Sequence, residues 1–265
     1  VGDDHRIAAE VAEAAGSLLL DLRASMAGAG ERELRDAGDR RSNELIVELL
    51  TARCPGDAIL SEESADDPAR TSARRVWIVD PLDGTREYAE GRSDWAVHVA
   101  LWEDGDLVAG AVALPGMGRT YATDPPPPPL APPPPPPPLA PPPPLAPTSP
   151  AGARPPRLVV SRSRPPAVTA RLQEALAAEL VDLGSAGAKA MAVVAGDVDV
   201  YAHAGGQYEW DSAAPVAVAR AAGLHVSRLD GSPLRYNQPD PYLPDLLICR
   251  PDLAAPVLAV VTGAP

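Results

Sequence analysis

Phenylalanine is absent from this chain of 265 residues, and aromatic residues amount to only 4%. A core must therefore be filled by Ala, Val and Leu, in one large domain or two modest ones sharing a core. Cysteine is scarce as well. Cys54 and Cys249, one in each half, make neither a CxxC pair nor a disulfide framework, and both read as small reduced residues. Basic side chains are outnumbered, 23 against 36 acidic, for a net charge of −13. Such a surface repels nucleic acid and anionic membranes, because neutralising phosphates takes clustered Lys and Arg. An anionic small molecule can still bind where metal ions invert the local field. No apolar run is long enough to span a bilayer. The N-terminal VGDDHRIAAEVAEAAG has neither the basic nor the apolar region of a signal peptide, so a soluble cytoplasmic protein is expected.

Proline is abundant instead, 34 residues, half of them crowded into positions 125 to 147. Without amide hydrogens and with φ fixed, that tract cannot be a helix or a central strand and reads as an extended polyproline II spacer. It suggests either a tolerated loop expansion or a docking segment for a proline-binding module. It also divides the chain into residues 1–124, a linker at 125–156 and residues 157–265. In the first part, Ile7, Val11, Ala14, Leu18, Leu22 and Met26 recur at helical spacing, and a second helix is expected from about Arg40 to Arg53 with Leu45 and Leu49 inward. Strand patterns follow at 58–61, 75–80, 94–103, 106–114 and 119–123, with Asp104-Gly105 as a hairpin turn. After the linker strands and helices alternate: RLVVS, PAVTARLQEALAA, ELVDLG, AGAKAMAVVAG, DVDVYAH, EWDSAAPVAVARAAG, LHVSRL, DLLICR and a final helix.

The chemistry is concentrated in VWIVDPLDGTREYAEG. A hydrophobic strand delivers Asp80 and Asp83 into a turn set by Pro81 and Gly84, with Thr85 directly after. Hard divalent cations such as magnesium take carboxylates, waters and substrate phosphate as ligands, and the Leu82 carbonyl lies between the two acids. Glu62 ends a strand that can pair beside Asp80, and Asp211 stands near the start of a helix. Two metal ions about 3.5–4 Å apart would activate a water and stabilise the leaving oxygen of an in-line displacement. Gly84 and Thr85 offer backbone N–H groups for phosphate. His98, His203, Trp210 and Glu209 lie close enough in sequence to these acids to be neighbours of the site. No GxxxxGK[ST] loop is present.

SEES, DPLDGT and WDSAA, in that order, resemble the signature segments of the inositol monophosphatase superfamily of lithium-sensitive, magnesium-dependent phosphatases. The resemblance covers nearly the whole chain apart from the proline tract, with SEE where GEE is common. It implies a layered α/β/α/β sandwich and two or three Mg²⁺ ions held by Glu62, Asp80, Asp83, Asp211 and the Leu82 carbonyl. Asp39, placed ahead of the second helix, would pair with Thr85 to orient the nucleophilic water, with Glu62 also catalytic. VVSRSR (with Arg164 where His is usual), GSAGAK and LDGSPLRYN resemble segments of the CysQ-type 3′(2′),5′-bisphosphate nucleotidases. That implies hydrolysis of the 3′-phosphate of adenosine 3′,5′-bisphosphate, in a setting of sulfate assimilation. Asp83, Gly84, Thr85, Ser185, Lys189 and Asp211 would contact substrate, with Lys189, and secondarily Arg164 or Arg235, on the 5′-phosphate. Inositol monophosphatase and fructose-1,6-bisphosphatase activities remain open, as does a scaffold acting through the proline tract, and so does a homodimer.

Overall fold

Along Arg75–Asp83 (β2) the side chains alternate between two cores, and that alternation sets the architecture. Trp77 and Val79 point into one apolar cluster, Val76 and Ile78 into another, as the period of two in a strand buried on both faces requires. The computed structural model describes residues 2–128, 154–162 and 167–263. β2 lies in a sheet with β1 (Ala58–Ser61), β3 (Ala96–Glu103), β4 (Asp106–Leu114) and β5 (Arg119–Ala122), ordered β1-β2-β3-β4-β5. The β1–β2 pair is parallel and the rest are antiparallel. Asp104 and Gly105 both have positive φ, 49° and 105°, as a tight hairpin between β3 and β4 needs. A second sheet, ordered β7-β6-β8-β10-β9, comprises β6 (Arg157–Ser161), β7 (Glu179–Leu183), β8 (Val200–Tyr208), β9 (His225–Ser227) and β10 (Tyr242–Cys249).

Helices fill the spaces. α1 (Gly2–Ser25) and α2 (Glu31–Arg53) cover the outer face of the first sheet. Between the sheets lie α5 (Ala186–Val194) and α6 (Glu209–Ala221), and the cluster around them takes residues from both halves, Ile78 and Val112 meeting Val159, Met191 and Ile248. α4 (Val168–Leu176) and α7 (Pro251–Thr262) close the far side. The expected layered α/β sandwich is present, with α4 and α7 as a fifth layer. The two halves share one core rather than packing as separate units. α6 reaches β4 closely because Gly110 has no side chain; a Cβ there would lie 2.9 Å from that of Ala217. Each Val or Leu buried this way contributes about 1.5–3 kcal/mol.

Two sequence expectations are corrected here. α2 begins at Glu31, not near Arg40, so Asp39 lies inside the helix and not ahead of it. Acidic Glu31 and Glu33 in its first turn suit the helix dipole. Its buried stripe is Leu34, Gly38, Ser42, Ile46 and Leu50, one position along from the expected Leu45 and Leu49, which are half-buried. Small residues in that stripe let the helix approach the end of β2: a Cβ on Gly38 would lie 2.9 Å from Leu82. The polyproline expectation from residue 129 onward and the assignment at Arg164 lie outside the described residues.

Candidate metal centre

A bulge in β2 makes the site. The strand runs through Asp83, where the sequence suggested a turn, and its pairing with β3 shifts between Asp80, opposite His98, and Asp83, opposite Ala96. Residues three apart on a regular strand face opposite ways; one extra residue brings both carboxylates to the same side. Pro81 fits here because a bulge needs no ladder donor from it, and its carbonyl accepts from Ser42 Oγ of α2 at 2.6 Å. Gly84 follows with φ 82°, where a Cβ would meet Ser185 at 2.8 Å, so only glycine turns the chain here into α3 (Thr85–Ala89).

Asp211, in the first turn of α6, arrives from the other sheet. Oxygens of Asp80, Asp83 and Asp211 lie within 4.8 Å of one another. Tyr208 N donates to Asp211 Oδ2 at 2.6 Å, and Pro215 one turn later has no N–H for the Asp211 carbonyl. Glu62 follows β1, its N–H 3.4 Å from the Val79 carbonyl. The carboxyls repel one another. Asp80 is held well above the usual carboxylate range by burial, then by Glu62, Asp83 and Asp211. Asp211 is pushed up to about 6 by burial and Asp83. Glu62 is pushed up to about 7 by burial, then by Asp211, Glu63 and Asp83; its side chain reaches solvent at the mouth, which tempers that rise. Asp83 differs. Burial raises it, but the His98 ring and the Gly187 amide outweigh burial and hold it low.

α5 supplies that support. Gly187 N donates to Asp83 Oδ2 at 2.6 Å and Ala186 N to Oδ1 at 3.2 Å. His98, fully buried, sets Nε2 3.2 Å from Asp83 Oδ2 without completing a hydrogen bond, while Nδ1 lies 3.0 Å from the Trp210 carbonyl. A Cβ on Gly187 would sit 2.2 Å from His98 Nε2. Ser185 caps α5, its hydroxyl accepting from Ala188 N at 3.0 Å. Lys189, expected on the substrate's 5′-phosphate, is buried and donates to the Gly184 and Ser185 carbonyls; burial lowers its pKa. Asp94 accepts from Gly184 N at 2.7 Å and pairs with Arg92.

Asp39 is half-buried on α2, its carboxyl pushed up to about 7 by burial and by Glu63 and Glu62. Among the described residues no hydrogen bond joins it to Thr85, which is half-buried at the start of α3. One turn on from Asp39, Asn43 accepts from Ser61 Oγ at 2.7 Å and fixes α2 to the end of β1. Glu209, fully buried, accepts from Asn237 N and Gln238 N, tying the loop before β10 to α6. His203 is turned to the Gly206 carbonyl at 2.9 Å, and Arg235 is exposed. Ser42, Asn43, Asp94 and Gly187 were missed by the sequence reading; they serve the motif from distant segments, and one sequence carries no signal of that.

The donor set passes a chemical test for a cation. Buried carboxylates with so little positive charge among them are costly unless a cation is shared, and an all-oxygen set suits a hard divalent ion. A layered α/β sandwich with an all-oxygen carboxylate cluster between its sheets, suited to a hard cation, is the class that fold and site define. The chain belongs to the inositol monophosphatase family, whose model matches residues 4–124 and 153–259. Among its relatives, the 3′-phosphoadenosine 5′-phosphate phosphatase of Mycobacterium leprae is 51% identical, over 97% of this chain and 93% of the relative. The 3′(2′),5′-bisphosphate nucleotidase CysQ of Escherichia coli strain K12 is 31% identical over 78% of this chain and 81% of its own length. In structure, CysQ from Bacteroides thetaiotaomicron aligns with TM-score 0.71 and 27% identity, over 94% of this chain and 97% of that one. Inositol monophosphatase II of Staphylococcus aureus aligns with TM-score 0.75 over 96% and 92%; at 18% identity it speaks for the fold alone.

Proposed function

We propose that this chain is a magnesium-dependent phosphatase that removes the 3′-phosphate of adenosine 3′,5′-bisphosphate, leaving AMP and inorganic phosphate. The observation that carries it is the carboxylate cluster of Asp80, Asp83 and Asp211, in a chain half identical over nearly its full length to a relative named for that substrate. Asp80, Asp83 and Asp211, with Glu62 and the Leu82 carbonyl, would hold the ions. Bound there, divalent cations lower the pKa of water and neutralise charge on the phosphate and the leaving oxygen. A water oxygen adds to phosphorus, the bond from phosphorus to O3′ breaks, and O3′ takes a proton. Asp39 and Glu62 flank the mouth of the site with carboxylates able to accept the water's proton. Thr85, half-buried at the start of α3 two residues after Asp83, would offer its hydroxyl to that water. The amides of α5 and the His98 ring keep Asp83 ionised and aimed.

Phosphate release with magnesium from adenosine 3′,5′-bisphosphate, inositol 1-phosphate and fructose 1,6-bisphosphate tests this. The highest kcat/KM is expected on the nucleotide, abolished by a chelator. A higher value on inositol 1-phosphate would overturn the substrate assignment and leave the metal chemistry standing.

A further inference from the structure

The chain has four Trp, six Tyr and no Phe, and it sinks Trp77, Trp95, Tyr88, Tyr201 and Tyr236 to 4% exposure or less. Against that habit, Tyr208 and Tyr242 are 46% and 48% exposed and stand together. Their residues face each other across the β8–β10 pair. Trp210 stacks on Tyr208 with ring centres 4.8 Å apart and planes 10° from parallel. Tyr242 stands nearly perpendicular to Tyr208, 6.0 Å away at 81°. The result is a corner of aromatic rings, open to solvent, in which a planar ring can lie with its face on one wall and its edge on the other.

The backbone is shaped for this corner. Gly205 and Gly206 have φ of 123° and 92° where the β8–β10 register slips. A Cβ on Gly206 would fall 2.4 Å from the Tyr242 hydroxyl, so glycine lets that ring lie back over the strand. His203 Nε2, 2.9 Å from the Gly206 carbonyl, holds the bend. The corner also adjoins the reaction centre: Tyr208 N donates to the Asp211 carboxylate, and Trp210 immediately precedes Asp211 in α6.

We infer that Tyr208, Trp210 and Tyr242 form the subsite that stacks the purine base of the nucleotide substrate. The inference rests on the proposed function and adds which residues distinguish a nucleotide from other phosphate esters. A base presents a π-face to such rings whatever its hydrogen-bonding edge, so the subsite recognises an aromatic base and tolerates differences among bases.

The test compares Tyr208→Ala, Tyr242→Ala and Tyr208→Phe in the full chain on adenosine 3′,5′-bisphosphate and on its base-free analogue, 1-O-methylribose 3,5-bisphosphate. Each alanine variant should raise KM for the nucleotide about tenfold, equal to about 1.4 kcal/mol, with kcat within about twofold, while Tyr208→Phe restores KM. The preference for the nucleotide over the base-free ester should fall by the same factor. Equal KM increases on both esters would overturn the inference, as would a fall in particle mass of the double alanine variant, which would make the corner an interface between copies. Calorimetry on the unsubstituted protein separates this from the proposed reaction. AMP should bind at least tenfold tighter than ribose 5-phosphate, and equal affinities would remove the subsite even if the nucleotide is hydrolysed. Failure to hydrolyse the nucleotide, with that affinity difference intact, would remove the reaction and keep the subsite.

Discussion

Asp83 is the residue on which most of the site converges, since it takes two amides of α5, faces His98 and shares space with Asp80 and Asp211. Asp83→Asn removes charge and almost no volume. Metal stabilisation of transition-state charge amounts to several kcal/mol, so kcat/KM should fall by at least about a hundredfold with the circular dichroism spectrum intact; near-normal turnover in magnesium would contradict the cation assignment. Lys189→Ala should cost turnover on every phosphate ester alike, because its ammonium secures the Gly184 and Ser185 carbonyls at the start of α5. A loss confined to bisphosphates would instead place Lys189 on a second phosphate. The acids themselves were legible in the sequence, because SEES, DPLDGT and WDSAA are short and keep their order. Asp94, Ser42 and Gly187 were not. Each acts on a segment 39 to 104 residues away, and local pattern carries no information at that range.

At the scale of elements, the decisive device is the bulge that lets β2 continue through Pro81 and Leu82. Proline and glycine within four residues read as a turn, and only the pairing with His98 and Ala96 shows that the strand persists. α2 was misjudged for a related reason. Its buried stripe includes Gly38 and Ser42, which hydropathy cannot recognise as inward-facing, and they are inward because Leu82 and Pro81 come close. The strands, by contrast, were readable as short apolar runs rich in Val, Ala and Leu, and the Asp104-Gly105 turn from its residues. Gly187→Ala tests the fit of α5 against β3. With a methyl 2.2 Å from His98 Nε2, the variant should lose about 1–3 kcal/mol of stability, as overpacking in a core does. The urea midpoint measures it, and an unchanged midpoint would mean that α5 shifts freely.

For the whole molecule, a surplus of negative charge is focused between the sheets, and that predicts a linkage between pH, cation and stability. Asp80, Glu62, Asp39 and Asp211 have folded-state pKa values above the ordinary carboxylate range. Each therefore binds its proton more tightly folded than unfolded. The resulting stability is present below the unfolded value near 4 and is lost as pH rises through about 6 for Asp211 and about 7 for Glu62 and Asp39. Asp83, held low, runs the other way. Magnesium should offset the repulsion, so its addition should raise Tm more at pH 8 than at pH 5; an equal or larger shift at pH 5 would contradict this. Halving the tract at 125–147 with a Gly/Ser segment should change stability by only about 0.6 kcal/mol and leave kcat/KM nearly as it was. The central claim is that these carboxylates serve hydrolysis at the 3′ position of a nucleoside bisphosphate. Following adenosine 3′,5′-bisphosphate with magnesium by ³¹P NMR tests it most directly: the 3′-phosphate signal should vanish as inorganic phosphate and AMP grow in equal amounts. Accumulation of adenosine 3′-monophosphate, or an unchanged spectrum, would contradict it.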